Sequence, residues 1–196
     1  MQLRKLASSV IVAGILMSGL GAAIAAEPED TMIVKLKSGE VTIALRPDLA
    51  PKHVAQIKAL VAEGAYKNVA FHRVIEGFMA QTGDVQYGDV EDGFDARQVG
   101  TGGSDKPDLP AEFSDAAFER GTVGMARSAN PDSANSQFFI MFAPATHLNG
   151  QYTVVGQVEA GMELVDQIKR GDPAQNGMVQ NPDTIVDVRL ASDAKQ

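Results

Sequence analysis

Residues 71–84 read FHRVIEGFMAQTGD, a run in which apolar and aromatic residues surround a few polar ones. Residues 69–74 and 79–81 are predicted strands because they are short, apolar and rich in β-forming residues. Arg73 lies inside this mostly apolar and aromatic run. Either the arginine is an ion-pair partner at the edge of an apolar patch, or its guanidinium has a chemical role.

Alternating apolar and polar residues predict more strands along the chain. Residues 31–45 alternate around Ser38-Gly39 and predict a β-hairpin. Further predicted strands are residues 121–127, 136–142, 152–158 and 184–190, the last of which can pair with the first. Residues 50–65 and 161–169 predict two helices; the first has Pro51 in its opening turn and Gly64 at its end. Six to eight strands and two helices indicate a mostly β fold, a closed or nearly closed antiparallel barrel with helices at its open ends.

The first 26 residues have the layout of a secretory signal peptide. A basic start with Arg4 and Lys5 precedes an uncharged apolar run and the small residues Ala23-Ile24-Ala25. The alternative is a retained membrane anchor, but the apolar run is short for a span of about 20 residues. We therefore divide the chain into a signal peptide, residues 1–26, and one globular domain, residues 27–196.

The net charge and the absence of cysteine limit the kinds of partner and the chemistry that are expected of this chain. The chain carries a formal net charge of −8, and cleavage, which removes two positive charges and no negative ones, makes it −10. A domain this acidic is a poor candidate for nucleic acid or anionic lipid. The chain has no cysteine, so disulfides and thiol nucleophiles are excluded. We expect a periplasmic protein that does not contact the membrane after cleavage.

Common catalytic and metal-binding motifs are missing from the sequence. There is no GxSxG nucleophile elbow and no HExxH, and the three histidines lie far apart. Residues 84–106 are rich in Gly and Asp and predict a long surface loop. Its acidic residues lack the EF-hand order, so a solvated loop is favoured over a calcium site. Gly100-Thr101-Gly102-Gly103 is not followed by GK[ST], which favours a flexible or tightly turned loop over a phosphate site.

Two segments combine apolar aromatic residues with a few polar donors. These are residues 71–84 and residues 124–142, GMARSANPDSANSQFFIMF. Taken singly, the apolar residues would be ordinary core. Together they predict a groove in which Arg73, Gln81 and Gln137 present donors and acceptors to an apolar pocket, which Phe78, Met79, Phe138, Phe139 and Leu148 could line.

At these segments the chain resembles the cyclophilin-type peptidyl-prolyl cis–trans isomerases. FHRVIEGFMAQTGD and SANSQFFI are similar to the two long signatures of that family. The shorter motifs GTGG (100–103), AEF (111–113), GMA (124–126), LNG (148–150) and VVGQV (154–158) follow in the family's order. The resemblance runs from about residue 31 to residue 190. It implies an eight-stranded antiparallel closed barrel capped by two α-helices, and a reaction without cofactor or metal.

The resemblance also implies roles for individual residues. Arg73 matches the catalytic arginine, and Gln81 the glutamine that bonds the substrate backbone. Ala129 and its neighbours match the edge along which the peptide lies. The implied substrate-binding set is Phe78, Met79, Gln81, Ala129, Gln137, Phe139, His147, Leu148 and Tyr152. His147 stands where many members carry Trp, which argues against strong cyclosporin binding, and Tyr152 stands where many carry His.

The expected function is therefore a periplasmic prolyl isomerase. Its partners would be X-Pro segments of unfolded or partly folded exported proteins, and the chain is expected to be a monomer. His72 is interpreted as structural rather than as a general base, because no proton need move in the reaction. One alternative is a proline-segment binding or chaperone module with little turnover, which would not need Arg73. A weaker alternative is a metal- or calcium-regulated protein that uses the acidic loop.

Overall fold

The computed structural model describes residues 26–195, in which eight strands, two α-helices and four short 3-10 helices are found. The predicted signal peptide lies outside the described residues, apart from Ala26. None of the described helices is long and apolar enough to cross a membrane. The elements are β1 (Thr31–Leu36), β2 (Gly39–Leu45), α1 (Pro51–Ala62), β3 (Arg73–Ile75), β4 (Met79–Thr82), β5 (Thr122–Met125), β6 (Phe138–Met141), β7 (Val154–Ala160), α2 (Met162–Val165) and β8 (Asp187–Leu190).

All eight strands form one sheet in the order β3-β4-β6-β5-β7-β2-β1-β8, and each paired neighbour is antiparallel. The predicted hairpin is confirmed as β1 and β2, and β8 pairs with β1 as expected. The second helix is shorter than the predicted range of residues 161–169. It ends at Val165, and tight turns follow it. The mostly β prediction with two helices is therefore confirmed.

The predicted closure of the barrel is not confirmed. The sheet curls through 202° and remains open between its outer strands, β3 and β8. The gap is crossed by isolated contacts, such as the bridge between Ala70 and Thr184. A continuous ladder needs extended backbone, but Asn176, Gly177 and Asn181 have φ values of 53°, 79° and 50°. The segment before β8 therefore turns repeatedly and contacts β3 only at isolated points, such as the bridge between Arg73 and Met178, instead of forming a continuous ladder with it.

Strand alternation separates the inner core from the outer face of the sheet. Val74, Ala80 and Ile140, on neighbouring strands, pack into the main core together with the buried face of α1. The residues between them along each strand face the opposite side, where a second apolar cluster includes Met79, Phe139 and Leu148. The candidate site lies on this outer face.

The long loop predicted over residues 84–106 is confirmed, and both its ends are fixed by one buried carboxylate. Asp84 is fully buried and accepts hydrogen bonds from the backbone N–H groups of Gln86 and Tyr87, which follow it, at 3.1 and 3.0 Å. Its other oxygen accepts from Gly100 at 2.7 Å and Gly102 at 3.0 Å. Asp84 therefore joins the start of the acidic loop to its GTGG end.

Candidate active site

The register of three strands brings the predicted polar and apolar site residues into one row. Arg73 on β3 lies opposite Gln81 on β4, and Gln81 lies opposite Phe139 on β6. Residues directly opposite each other share a face of the sheet, so the three side chains stand side by side on the outer face. The two sequence segments that predicted a groove therefore do meet.

A chain of hydrogen bonds orients the polar members of this row. The Arg73 guanidinium donates from Nη1 to Gln81 Oε1 at 3.2 Å, and Gln81 Nε2 donates to Gln137 Oε1 at 2.9 Å. Gln137 Nε2 then donates to the carbonyl of Gly102 at 2.8 Å. Each amide is fixed in one orientation, because its oxygen and its nitrogen have different partners. The GTGG end of the loop thus fixes, through two glutamines, one edge of the guanidinium.

Asn176 holds the other edge of Arg73, a contact that no sequence motif predicted. Arg73 Nε donates to the Asn176 carbonyl at 3.0 Å, and Nη2 donates to Asn176 Oδ1 at 3.1 Å. Asn176 adopts a left-handed conformation, with φ of 53°, and precedes Gly177. The Asn-Gly pair is a turn signal, but only the fold shows that the turn contacts β3.

The charge of Arg73 has no acidic partner in the part of the chain that the structure describes. No carboxylate there lies within 4.0 Å of the guanidinium. Burial lowers the pKa of Arg73, and Tyr152 acts weakly in the opposite direction. The Arg73 side chain is half-buried. An arginine at the edge of an apolar patch often forms an ion pair, but Arg73 forms none with residues 26–195. The second interpretation, a cation with a chemical role, is the one that the geometry favours.

Beside Arg73 lies a cavity of about 500 Å³, which we call the apolar cavity. Met79, Phe139 and Leu148 are buried within its wall, and Phe118 stacks behind Phe139 at 5.8 Å between ring centroids. At its rim Phe78 stacks on His147 at 5.9 Å. Eight of the predicted site residues line it: Arg73, Phe78, Met79, Gln81, Phe139, His147, Leu148 and Tyr152.

Three predicted residues lie elsewhere. Phe138 points into the main core, where it meets Tyr66 edge-on, because it alternates with Phe139 along β6. Gln137 lines a neighbouring cavity of about 330 Å³, which we call the polar cavity. Ala129 is exposed and lines neither cavity, because the chain turns away from the sheet after β5.

After β5, Ala126 and Arg127 line both cavities, as does Gln81 on β4. Ala126 continues the strand pairing, since its N–H donates to the Gln137 carbonyl at 2.9 Å. In the sequence, the GMA motif (124–126), which ends at Ala126, could have indicated this position. Ala126 therefore lines both cavities and Ala129 lines neither, and the peptide edge around Ala129 stays a prediction.

His72 is separate from the apolar cavity. Its ring is buried, and burial lowers its pKa, although nearby Asp84 acts in the opposite direction. The ring packs close to Gly100, where an added Cβ would be 3.2 Å from Cδ2 of the imidazole. These contacts agree with the structural interpretation of His72. Among residues 26–195 no cluster of three or more His, Cys, Asp or Glu side chains could hold a metal ion.

Comparison with known proteins agrees with the motifs. The family described as cyclophilin type peptidyl-prolyl cis-trans isomerase/CLD matches residues 31–190. A probable peptidyl-prolyl cis-trans isomerase of Brucella suis is 63% identical over 191 residues, covering 96% of this chain and 97% of that protein. A peptidyl-prolyl cis-trans isomerase of Helicobacter pylori is 34% identical over 142 residues, or 71% of this chain and 80% of that protein.

Solved structures give the same result. A cyclophilin from Hirschia baltica superposes with a TM-score of 0.70 at 26% identity, covering 86% of this chain and 76% of that chain. A cyclophilin type isomerase of Cryptosporidium parvum, solved in the presence of the dipeptide Ala-Pro, gives 0.69 at 25% identity, covering 82% of this chain and 98% of that chain. By sequence, fold and site, this chain belongs to the cyclophilin-type peptidyl-prolyl cis–trans isomerases.

Proposed function

We propose that the chain isomerises X-Pro bonds of exported proteins in the periplasm by stabilising the twisted amide without covalent chemistry. The observation that carries this proposal is the Arg73 guanidinium, fixed on two edges beside an apolar cavity and free of acidic partners among residues 26–195. The proline dipeptide present with the Cryptosporidium parvum relative supports proline-containing peptides as the substrate class.

The physical barrier to the reaction is amide resonance. The peptide C–N bond has partial double-bond character, so rotation of an X-Pro bond takes roughly tens to hundreds of seconds without a catalyst. At the twisted transition state resonance is lost, and the lone pair becomes localised on the proline nitrogen. A cationic donor near that nitrogen stabilises the twisted state more than either planar state, which lowers the barrier.

Arg73 has the donors that this role requires. A guanidinium offers five N–H groups, and the contacts to Gln81 and Asn176 use one on each nitrogen. One N–H on Nη1 and one on Nη2 therefore remain available to a substrate. The apolar cavity would hold the proline ring while the acyl side rotates. A ~10⁵-fold acceleration would require about 7 kcal/mol of transition-state stabilisation.

The periplasmic location rests on residues 1–26, whose basic start, apolar run and small residues favour export and cleavage. X-Pro isomerisation can limit folding, so the activity would help exported proteins to fold there. We also expect a monomer, which light scattering would test. Fractionation of cells that express the full chain, or a chain lacking residues 2–26, would test the location. Periplasmic recovery of only the full chain is the expected result.

The test of the activity is the isomerisation rate of a short X-Pro peptide, measured by NMR exchange with the chain from residue 27 onward. We expect strong acceleration, reduced at least about tenfold by Arg73→Ala, with peptide affinity and fold retained. Arg189→Gln is a matched control, because it removes a cation that lines neither cavity. A folded wild type that binds the peptide without accelerating it would leave the binding-module alternative instead.

A further inference from the structure

Arg127 forms part of the wall between the two cavities and is the second cation of the site. Three residues line both the apolar cavity and the polar cavity: Gln81, Ala126 and Arg127. A peptide seated with its proline in the apolar cavity would therefore pass Arg127 where its chain enters the polar cavity. Neither cavity has an Asp or Glu in its lining.

The Arg127 guanidinium is held in place without being neutralised. It lies over the Tyr152 ring, 4.4 Å from the centroid. Its Nε and Nη2 donate to the Gln151 carbonyl at 3.3 and 2.9 Å, and Nη1 donates to the Ser128 carbonyl at 2.9 Å. No carboxylate of residues 26–195 lies within 4.0 Å of it. Two of its five N–H groups thus have no partner among residues 26–195.

A fixed guanidinium with free donors selects for carboxylates. Arg offers a planar set of donors that matches the geometry of a carboxylate, and stacking on Tyr152 restricts its rotation before any ligand arrives. Two carboxylates on the chain segments beside the polar cavity bond to groups other than Arg127. Asp108 accepts from the side chain of Asn135 at 3.0 Å, and Asp132 accepts from the Ala111 N–H at 2.8 Å.

We propose that Arg127 is a specificity-determining residue that favours substrates with an aspartate or glutamate one or two residues from the proline. The inference rests on the proposed isomerase function and adds a substrate class to it. Successive residues of an extended peptide are about 3.3 Å apart, so such a side chain lies within reach of the wall between the cavities. The preference is local, because the chain from residue 27 onward has a formal net charge of −10 (−8 less the two charges of Arg4 and Lys5) and repels acidic peptides.

The experiment compares peptides that differ only in Glu or Gln, placed in turn one and two residues before and after the proline. The value of kcat/KM is measured by NMR exchange, and affinity is measured by titration with the same peptides. In the wild type we expect Glu to be preferred over Gln by about two- to fivefold on one side of the proline. The ratio should approach one at about 0.5 M salt, since added ions screen exposed charges.

Variants separate the charge of Arg127 from its packing. We expect Arg127→Gln to bring the Glu-to-Gln ratio to one and Arg127→Lys to keep part of the preference. Arg189→Gln, which changes net charge equally but pairs with Glu40 away from both cavities, should leave the ratio unchanged. A wild-type ratio of one at every position, or an unchanged ratio in Arg127→Gln, would overturn the inference. If the isomerase proposal failed, no peptide would isomerise faster, and the Glu-to-Gln preference would then be measured from the affinities alone.

Discussion

Asn176 accepts two hydrogen bonds from Arg73, one at its backbone carbonyl and one at its side chain, at 3.0 and 3.1 Å. The two residues are 103 positions apart in sequence. Together with the 3.2 Å bond to Gln81, this contact fixes the plane of the guanidinium. A donor that is already oriented loses little freedom when the twisted amide forms, which favours the transition state.

Replacing Asn176 with Gly should lower kcat/KM about three- to tenfold while changing stability by less than about 1 kcal/mol. Glycine adopts the φ of 53° freely and keeps the carbonyl acceptor, so only the contact from the side chain is lost. Asn181→Gly is a matched control, because Asn181 has a φ of 50° in the same segment and no hydrogen bond to Arg73. The measurement is NMR exchange of an X-Pro peptide, and equal activity of the two variants would contradict a positioning role for Asn176.

Much of this site could be predicted because its pattern is local. The alternation of residues 71–84 and 136–142 puts Arg73, Gln81 and Phe139 on one face, and antiparallel pairing then aligns them. The motifs of the family resemblance named the same residues. Phe138 was misplaced in the pocket because composition alone does not tell which of two consecutive phenylalanines faces out.

The contacts that the sequence did not predict depend on turns that bring distant segments together. Asn176 reaches Arg73 only because left-handed residues fold the segment before β8 against β3. The same turns leave the sheet open where a closed barrel was predicted.

Gly124→Ala should weaken substrate binding more than it slows the chemical step. A Cβ at residue 124 would be 2.6 Å from both Phe118 Cε1 and Phe139 Cζ, so one ring must move. Since Phe139 lines the apolar cavity and Phe118 is buried behind it, the easier movement is of Phe139 into the cavity. We expect KM to rise about three- to tenfold and stability to fall by about 1–3 kcal/mol.

Adding Phe118→Leu to Gly124→Ala tests that explanation. The smaller side chain makes room for the new methyl group behind Phe139, so KM should return toward the wild-type value. A double variant with KM no lower than that of Gly124→Ala would show that the two rings are not the obstacle.

Asp84→Ala should release the GTGG end of the loop and reduce activity. Four backbone N–H groups would lose their acceptor, which we expect to cost at least about 2 kcal/mol. Hydrogen exchange should then become faster at the amides of Gly100 and Gly102. Because Gln137 donates to the Gly102 carbonyl, movement of Gly102 should also loosen the hydrogen bonds that orient Gln81 and Arg73, which lowers activity.

Asp89→Ala is the control for Asp84, because the hydrogen bonds that the Asp89 carboxylate accepts from described residues come from Glu91 and Asp92, within the same loop. It should leave both the exchange at Gly102 and the isomerisation rate close to wild type. If the two variants had equal effects, the loss of activity would come from a general loosening of the acidic loop and not from the loss of the hydrogen bonds by which Asp84 joins its two ends.

Glu112 should make the stability of the fold depend on pH in the acid range. Helix α1 has no side-chain cap of its own at Ala50; instead the Glu112 carboxylate accepts from the N–H groups of Lys52 and His53, at 3.1 Å each, and lies 2.7 Å from His53 Nδ1. Burial by itself would raise the pKa of Glu112, but these hydrogen bonds outweigh it, and the pKa is lowered. A carboxyl whose pKa is lower in the folded state stabilises the fold fully above its unfolded pKa, about 4.3. That stability is lost as the pH falls through the folded value.

Glu112→Gln should therefore be less stable than the wild type by about 1–2 kcal/mol at neutral pH, as expected for the loss of a charged cap. The difference should shrink below about pH 4, where the wild-type carboxyl becomes neutral as well. Urea unfolding at a series of pH values measures both proteins. Glu63→Gln is the control, because Glu63 pairs with Lys106 on the surface, where an ion pair contributes little. A difference between Glu112→Gln and the wild type that stays constant from neutral to acid pH would mean that the shape of the Glu112 side chain, and not its charge, caps the helix.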